Sequence, residues 1–371
     1  MQTIPSLTVG EDPVERGRLH GARFAREVAD NLETYLRRFE ASGLARDAAE
    51  AEGLRWLDAM ARQNDEYAAE MRGLAEGSGQ SEGVIALLNA RYEIAFTLFG
   101  KDARRREELL SVGPDGCSIF GLLPETTADG HTWLGQNWDW LEGIHGRTLV
   151  LRVKRKSRPS FICLTEAGIV GGKMGVNDCG IGLVENGLAS SHDGRNPLQK
   201  PFHMRCREVL DAGRYDDALR PIVDTRRTCS ANFVVGHADG EIIDMETSPD
   251  HITCLHPKDG IITHSNHFVG PGHGVSLMEK IAPNTLYRAS RLEHLLKRHA
   301  GSITFEHMQT AAQDHFGAPN GICRHPDPAL PATKRTMTTG AVLIDLNTRV
   351  MYVANGPPCS YPFIPFSIDE A

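Results

Sequence analysis

The stretch that decides the fold is GPDGCSI (113–119), which is followed closely by GQNWDW (135–140). Before this stretch, apolar residues recur at three- and four-residue intervals, which is typical of helices. After it, they form short runs separated by turn residues, which is typical of strands. Cys117 lies where the period changes, far from either end of the 371-residue chain. The sequence therefore predicts a helical part and a sheet-forming part that join at Cys117.

The part after Cys117 is predicted to form hairpins with helices between them. One hairpin covers 117–140 and turns at Asp129-Gly130, and another covers 231–248 and turns at Asp239-Gly240. Further strands are predicted at 148–153, 160–168 and 180–187 and as a pair within 341–356, and helices at 202–224, 285–299 and 304–315. This order favours an α+β fold with antiparallel sheets covered by helices over a parallel βαβ sheet.

The first 110 residues are predicted to be helical. Asp12-Pro13 supplies an N-cap and a proline at the first helical position, and the apolar positions from Phe24 to Phe39 have helical spacing. A second helix is predicted to end at GSG (77–79) and to pass through Leu57, Met60, Tyr67, Met71 and Leu74. A third helix is predicted from about Glu82 to Phe96, with Ser81 as its cap. The segment KDARRREE (101–108) is predicted to be a solvated connector.

The composition excludes several classes of protein. With 40% hydrophobic and 24% charged residues, the chain can form one large or two smaller compact domains. The formal charge is −8 and the basic residues are scattered, so we expect no nucleic-acid partner. The sequence contains neither a stretch apolar enough to span a membrane nor a signal peptide at its start, so a soluble, cytoplasmic protein without a membrane partner is expected.

The eight cysteines include no C-x-x-C pair, and the sixteen histidines include no H-E-x-x-H motif. Most of the cysteines are therefore expected to be free, buried thiols. The sequence predicts no metal and no cofactor, and these spacings give little support to a metal enzyme.

Cys117 has two interpretations. A strand cysteine is usually part of the core. Gly116, however, leaves the preceding peptide free to adopt the strained geometry that attack by the thiol on its carbonyl requires. Cleavage between Gly116 and Cys117 would place an α-amine, with a pKa of about 8 in model compounds, on the residue that carries the thiol. Nucleophile and general base would then belong to one residue.

Four further side chains are candidates for the same chemistry, each with an ordinary alternative. Asp139 is expected across the hairpin from Cys117, where it could hold the amine, or it is a turn former. Asn266 could stabilise an oxyanion, and Asn186 could be a second donor or simply part of an Asn-Gly turn. Arg324 could bind a carboxylate or a developing negative charge, or it is a surface arginine.

HSNHF (264–268) also raises the possibility of a metal site at His264 and His267. On a strand, side chains three residues apart point to opposite faces. The sequence therefore favours a role for Asn266 over a metal site there.

Several motifs together resemble the isopenicillin-N acyltransferase family of N-terminal-nucleophile hydrolases. They are DGCS (115–118), GQNWDW (135–140), TEAGIVGGKMGVNDCGIGL (165–183), HSNHF (264–268) and ICRH (322–325). Upstream, GRLHGARFA (17–25) and EMRGLAEGSGQSEGVIALLNARYE (70–93) resemble the helical propeptide region of that family. The resemblance spans nearly the whole chain, with the motifs in the family's order.

The resemblance implies a four-layer αββα sandwich of two antiparallel sheets between helix layers, made as a precursor that cleaves itself before the cysteine. Residues 1–116 would be the propeptide-like helical region, which becomes the small subunit, and 117–371 the catalytic region. No cofactor is implied. The small subunit would stay as a partner of the large one, and a homo-oligomer is left open.

The resemblance also implies roles for single residues. Cys117 would be the nucleophile and its freed amine the base. Asp139 matches the family's aspartate after NW, Asn266 its oxyanion asparagine and Arg324 the arginine of its ICR segment. Asn186 matches the related choloylglycine-type hydrolases.

The implied reaction is acyl transfer through a thioester on the cysteine, with a small-molecule amide or an acyl-CoA as substrate. If water accepts the acyl group, the protein is an amide hydrolase, and if an amine accepts it, a coenzyme-A-dependent N-acyltransferase. A binding protein that keeps the fold without turnover is a third possibility. The sequence leaves these alternatives open, as it does the acyl group.

Overall fold

The computed structural model describes residues 3–105 and 116–369. Within these ranges the helices are α1 (Pro13–Arg23), α2 (Ala25–Ala41), α3 (Arg46–Gln63), α4 (Asp65–Ser78), α5 (Glu82–Asn89), α6 (Arg91–Arg105), α7 (Phe202–Leu210), α8 (Tyr215–Val223), α9 (Met278–Ile281), α10 (Thr285–Lys297) and α11 (Phe305–Ala312). None of the helices in this part of the chain is long and apolar enough to cross a bilayer.

The strands form two sheets. They are β1 (Ser6–Val9), β2 (Ser118–Leu122), β3 (Trp133–Leu141), β4 (Thr148–Val153), β5 (Phe161–Glu166), β6 (Met174–Asn177), β7 (Ile181–Gly187), β8 (Ala231–His237), β9 (Glu241–Thr247), β10 (Ile252–Leu255), β11 (Ile261–His264), β12 (Thr336–Asp345), β13 (Val350–Ala354) and β14 (Ile364–Ser367). The larger sheet has the order β1-β4-β5-β6-β7-β8-β9-β10 and the smaller one β11-β2-β3-β12-β13-β14.

The two sheets face each other between layers of helices. β2 and β3 contact β7, and β12 and β13 contact β6. On the outer faces, α7 and α8 cover the larger sheet, while α10 and α11 cover the smaller one. The predicted α+β, four-layer αββα architecture is therefore confirmed. The hairpins β2-β3 and β8-β9 also form where the turn residues predicted them.

The prediction of antiparallel sheets needs one correction. β1 pairs in parallel with β4, with Ser6 opposite Val150, so the N-terminal region contributes a strand as well as helices. This pair joins segments more than a hundred residues apart, which local patterns do not reveal. Four further short strands, β6, β10, β11 and β14, lie outside the predicted strand ranges, since four residues carry little periodic signal.

Each of the three predicted N-terminal helices is split in two. The breaks fall at Phe24, Asn64 and Ala90. At the second break, Asn64 is extended and its side chain accepts a hydrogen bond from the backbone N–H of Tyr67 at 3.0 Å, so it caps a new helix. The predicted cap at Asp12 is confirmed, with a bond of 2.8 Å from the N–H of Glu15.

The predicted connector at 101–108 lies only partly in the described chain. Residues 101–105 belong to the last turn of α6, which corrects that part of the prediction. Residues 106–108 lie outside the described residues.

Helices α1 and α4 cross with their backbones in direct contact. A Cβ atom on Gly17 would lie 1.9 Å from the carbonyl oxygen of Glu70, and one on Gly73 would lie 2.0 Å from that of Val14. Only glycine fits at such a crossing. The segments 17–25 and 70–93, which supported the family resemblance, therefore contain glycines that the close packing of α1 against α4 requires.

A buried ion cluster, made of Tyr35, Arg91, Glu166 and Lys173, ties the N-terminal helices to the sheets. The Glu166 carboxylate pairs with Arg91, lies 2.9 Å from Lys173 Nζ and accepts a hydrogen bond of 2.5 Å from the Tyr35 hydroxyl. Lys173 Nζ also lies 4.5 Å from the ring centroid of Trp138 on β3. We call this group the helix–sheet ion cluster.

Candidate active site

Cys117 lies immediately before β2 and is 1% exposed. Its Sγ lies 4.0 Å from the backbone oxygen of Asp139. Ser118 pairs with Asn137, so the same register continued by two residues sets Gly116 opposite Asp139. Cys117 and Asp139 are thus neighbours across the hairpin, as the sequence predicted from the two motifs.

The Asp139 side chain is fully buried and is held by two donors. Arg324 Nε donates to one carboxylate oxygen at 3.0 Å and Thr338 Oγ1 donates to the other at 2.6 Å. Burial raises the pKa of Asp139 to about 6, although the nearby charges of Arg324 and Arg288 oppose the shift. The carboxyl is therefore ionised at neutral pH and becomes protonated under mildly acidic conditions.

Arg324 is a buried residue, so its interpretation as a surface arginine is wrong. Besides Asp139, its guanidinium donates to Asn320 Oδ1 at 2.9 Å and to Asn284 Oδ1 at 3.0 Å. It also lies directly against Gly116, where an added Cβ would be 2.5 Å from Arg324 Nε. Gly116 is thus required for space beside the arginine.

Arg288 on α10 was missed by the sequence analysis. It donates hydrogen bonds to the backbone of the candidate cleavage site. Its Nη1 donates to the carbonyl oxygens of both Gly116 and Cys117 and lies 3.0 Å from Ser118 Oγ. Its Nη2 donates to Asn266 Oδ1 at 2.7 Å. The carbonyl of Gly116 is the one that the Cys117 thiol would attack in self-cleavage.

One sequence signal could have found Arg288. On α10 the buried positions are Thr285, Arg288, Leu292 and Leu296, which have the helical spacing of a single face. An arginine in register with core leucines requires buried acceptors. Its backbone and side-chain partners lie about 170 and 22 residues away in sequence, so the pattern could not have identified them.

Both candidate asparagines are fully buried near this arginine. Asn266 receives the Arg288 bond on Oδ1 and donates through Nδ2 to the carbonyl of Gly187 at 2.9 Å. Asn186 donates to the carbonyl of Ser265 and accepts a bond of 3.1 Å from Asn232. Asn266 is therefore linked to Cys117 through one shared arginine, whereas Asn186 is linked to Asn266 through the backbone at Ser265 and Gly187.

The two histidines of HSNHF have separate partners. His264 Nε2 lies 2.9 Å from Glu246, while His267 Nδ1 lies 3.1 Å from Thr285 Oγ1. Burial lowers the pKa of His264, but Asp244 and Glu246 outweigh it and the net shift is upward. The two rings have different partners, and His267 lies beyond the end of β11, so the prediction that HSNHF continues as a strand is wrong after His264.

A cavity of about 590 Å³ lies next to the end of β3. Its lining comes from α2, from Leu141 and Gly143 and from residues 332–334, and it includes Arg37 and Arg38. Among the described residues, Cys117, Asp139, Asn266 and Arg324 do not line it. The cavity is therefore not assigned to the site.

The four-layer αββα arrangement of two sheets between helices is the fold of the N-terminal-nucleophile hydrolase class. The model of the acyl-coenzyme A:6-aminopenicillanic acid acyl-transferase family matches residues 126–358. This is more than half of the chain, and the chain belongs to that family, as its motifs predicted. The match begins after Cys117 and includes the positions of Asp139, Asn186, Asn266 and Arg324.

Individual proteins are similar as well. The 40 kDa form of acyl-coenzyme A:6-aminopenicillanic-acid-acyltransferase from Emericella nidulans is 29% identical over 324 residues, which are 86% of this chain and 84% of that protein. An N-acylethanolamine-hydrolyzing acid amidase ortholog from Caenorhabditis elegans has a TM-score of 0.48 at 12% identity, over 62% of this chain and 93% of that one. A mutant conjugated bile acid hydrolase from Clostridium perfringens has a TM-score of 0.47 at 12% identity, over 68% and 93% of the chains.

Proposed function

We propose that this chain is a precursor that cleaves its own Gly116–Cys117 bond and then acts as an N-terminal-cysteine amide hydrolase. The observation that carries the proposal is the position of Arg288, which donates to the carbonyl oxygen of Gly116 next to the buried thiol. A cation at that oxygen stabilises the negative charge that forms when the carbonyl carbon is attacked. The proximity of this donor to the thiol supports the Gly116 carbonyl as the site of attack.

In the proposed self-cleavage, the Cys117 thiol attacks the carbonyl carbon of Gly116. The C–N bond breaks, the nitrogen takes up a proton as the new α-amine, and the Gly116 acyl group passes to sulfur as a thioester. Water then hydrolyses the thioester, releasing the carboxylate of Gly116 and restoring the thiol. Arg288 stabilises the oxyanion in both steps.

In the proposed turnover, the same thiol attacks the carbonyl of a substrate amide. The Cys117 amine takes the proton of the thiol and gives it to the leaving amine, Asn266 stabilises the oxyanion, and the amine then takes a proton from the water that attacks the thioester. Asp139 and Arg324 hold the end of the hairpin where the amine forms. Asn186 supports Asn266 through the backbone of Ser265.

Residues 1–116 and 117–371 would become the small and large subunits and stay together. The parallel pair β1-β4 and the helix–sheet ion cluster join the two parts without any covalent link. We therefore propose that the small subunit remains bound after cleavage.

An N-acyltransferase is the second candidate, because the fungal relative is named for transfer from acyl-coenzyme A to 6-aminopenicillanic acid. The two activities share the acylated cysteine and differ in the acceptor. The partition between amide formation and thioester hydrolysis, measured with an acyl-CoA and a series of amines, distinguishes them.

The test of self-cleavage is the intact mass of the purified chain under denaturing conditions. We expect two fragments, one ending at Gly116 and one beginning with Cys117. Cys117→Ala should remain a single chain, whereas Cys163→Ala, which changes another buried cysteine, should be cleaved. An uncut wild type, or cleavage of Cys117→Ala, contradicts the proposal and favours a binding protein that keeps the fold.

A further inference from the structure

Four side chains outside the proposed catalytic group point their metal-binding atoms at one another. They are His315, Cys323, His325 and Cys359, and the four ligand atoms all lie within 4.8 Å of one another. His325 Nε2 is 3.0 Å from His315 Nε2, 3.4 Å from Cys359 Sγ and 3.8 Å from Cys323 Sγ. We call this group the Cys₂His₂ cluster.

These separations match the edges of a zinc tetrahedron. With Zn–N bonds of about 2.0–2.1 Å and Zn–S bonds of about 2.3 Å, tetrahedral ligands lie about 3.3 Å apart for two nitrogens and about 3.6 Å apart for nitrogen and sulfur. The observed distances of 3.0, 3.4 and 3.8 Å lie within a few tenths of an ångström of those values. All three contacts involve one nitrogen atom, His325 Nε2. A single hydrogen bond at this atom would explain one of the contacts but not the convergence of all four side chains.

We propose that His315, Cys323, His325 and Cys359 bind one Zn²⁺ ion in a closed, tetrahedral, structural site. Two thiolates and two neutral imidazoles balance the charge of the ion, and this ligand set is one that zinc commonly takes. Because all four positions are filled by protein, no site is left for water or substrate. The ion would not act as a Lewis acid in the reaction.

The cluster lies next to Arg324 of the candidate active site. Arg324 is the residue between two of the ligands, Cys323 and His325, and its guanidinium reaches Asp139 at 3.0 Å. His315 follows α11 and Cys359 follows β13, so the ion would join three separate segments. Its effect would be to position Arg324 without touching the reacting atoms.

The sequence did not predict this site because its spacing is long and irregular. Cys323 and His325 are separated by one residue, but His315 and Cys359 lie far from them on either side. Backbone bonds bring the first three together: Cys323 N–H donates to the Asp314 carbonyl and His325 N–H to the Pro319 carbonyl, each at 3.0 Å. The expectation of no metal rested on short motifs, which do not describe such a loop.

The test is the metal content of the full chain purified without a histidine tag. We expect about one zinc per chain by mass spectrometry of the elements, and less than about a tenth in Cys359→Ser and in His315→Gln, since each removes one ligand. Cys254→Ser and His294→Gln change an exposed cysteine and an exposed histidine outside the cluster and should keep the ion. Cys359 and His315 are themselves exposed, so their substitution should leave the fold intact.

Cobalt supplies a second readout that is independent of activity. Protein exchanged with Co²⁺ should show the visible bands of tetrahedral cobalt and a near-ultraviolet thiolate charge-transfer band, both lost in Cys359→Ser. A wild type that takes up neither zinc nor cobalt overturns the proposal, as does retention of zinc in Cys359→Ser or a Cys323–Cys359 disulfide in the purified protein. The result is separate from self-cleavage, because each can be observed without the other.

Discussion

Asp139 and Glu166 are two fully buried carboxylates whose pKa values shift in opposite directions. Glu166, in the helix–sheet ion cluster, has Arg91 and Lys173 on its oxygens and a pKa lowered in spite of its burial. Asp139 has a single arginine on its carboxylate, and its pKa is raised to about 6. The second arginine near Asp139, Arg288, is directed at the carbonyls of Gly116 and Cys117 instead.

Under the proposed function, this difference separates a structural cluster from a reactive one. In the helix–sheet ion cluster, the cations neutralise a buried carboxylate, and removing that carboxylate would leave buried charges without their partner. Near Cys117, one cation is placed on a peptide carbonyl, where the intact bond needs no positive charge. The proposed distinction rests on the direction of Arg288.

Apart from the loss of the thiol in Cys117→Ala, the largest effect on the rate of self-cleavage is expected from Arg288→Met. Because the variant removes the donor to the Gly116 carbonyl, self-cleavage should slow by about 100- to 1,000-fold, as for the loss of an oxyanion donor. Cleavage is followed on precursor made by cell-free translation and separated by gel at intervals. Arg298→Gln changes an exposed arginine at the end of the same helix and should cleave like the wild type.

Since Arg288 is buried, its loss could also disturb folding. The circular dichroism and thermal unfolding of the uncut variant test this, and Arg288→Lys, which keeps a positive charge, should recover part of the rate. A folded Arg288→Met precursor that cleaves at the wild-type rate would remove the distinction between the two clusters.

Glu166→Gln should affect stability and leave the chemistry intact. Leaving the cations of the helix–sheet ion cluster without their carboxylate is expected to lower the free energy of unfolding by about 3–5 kcal/mol, measured by urea denaturation. The matched control is Glu33→Gln, which breaks pairs with Arg37 and Arg46 at the surface and should cost less than about 1 kcal/mol.

The folded fraction of Glu166→Gln should cleave itself at the wild-type rate. A precursor that folds as stably as the wild type but fails to cleave would assign Glu166 to the reaction. That result would contradict the division between the structural and the reactive cluster.

The sequence predicted what depends on local pattern. Turn residues located the hairpins, the motifs located Asp139 and Arg324, and the cap at Asp12 began a helix where expected. It did not predict the helix break at Asn64, because a single capping side chain interrupts an apolar pattern that continues on both sides.

The remaining failures concern contacts between distant parts of the chain. The parallel strand β1, the partners of Arg288 and the cluster around His325 all depend on how separate elements pack. Local sequence gives the face of a helix on which an arginine lies. It does not give the carbonyl that this arginine meets across the interface.

The smallest effect is expected from the titration of Asp139. Its pKa of about 6 means that the carboxyl is ionised at pH 7 and largely protonated at pH 5. The ionised fraction of such a group falls about tenfold between pH 7 and pH 5. If the ionised carboxylate holds Arg324 in place, the contribution of Asp139 to the cleavage rate should fall by the same factor. The loss occurs on lowering the pH, because a carboxyl with a raised pKa is neutral below that value.

The thiol and the peptide nitrogen also titrate or exchange protons during cleavage, so the rate itself does not isolate Asp139. The ratio of the wild-type rate to that of Asp139→Asn does, because the variant shares every other group. This ratio should fall as the pH drops through about 6. A ratio that is constant from pH 7 to pH 5 would mean that the charge of Asp139 is not used in cleavage. Asp139 would then resemble Glu166 in function, as a carboxylate that serves only to hold an arginine.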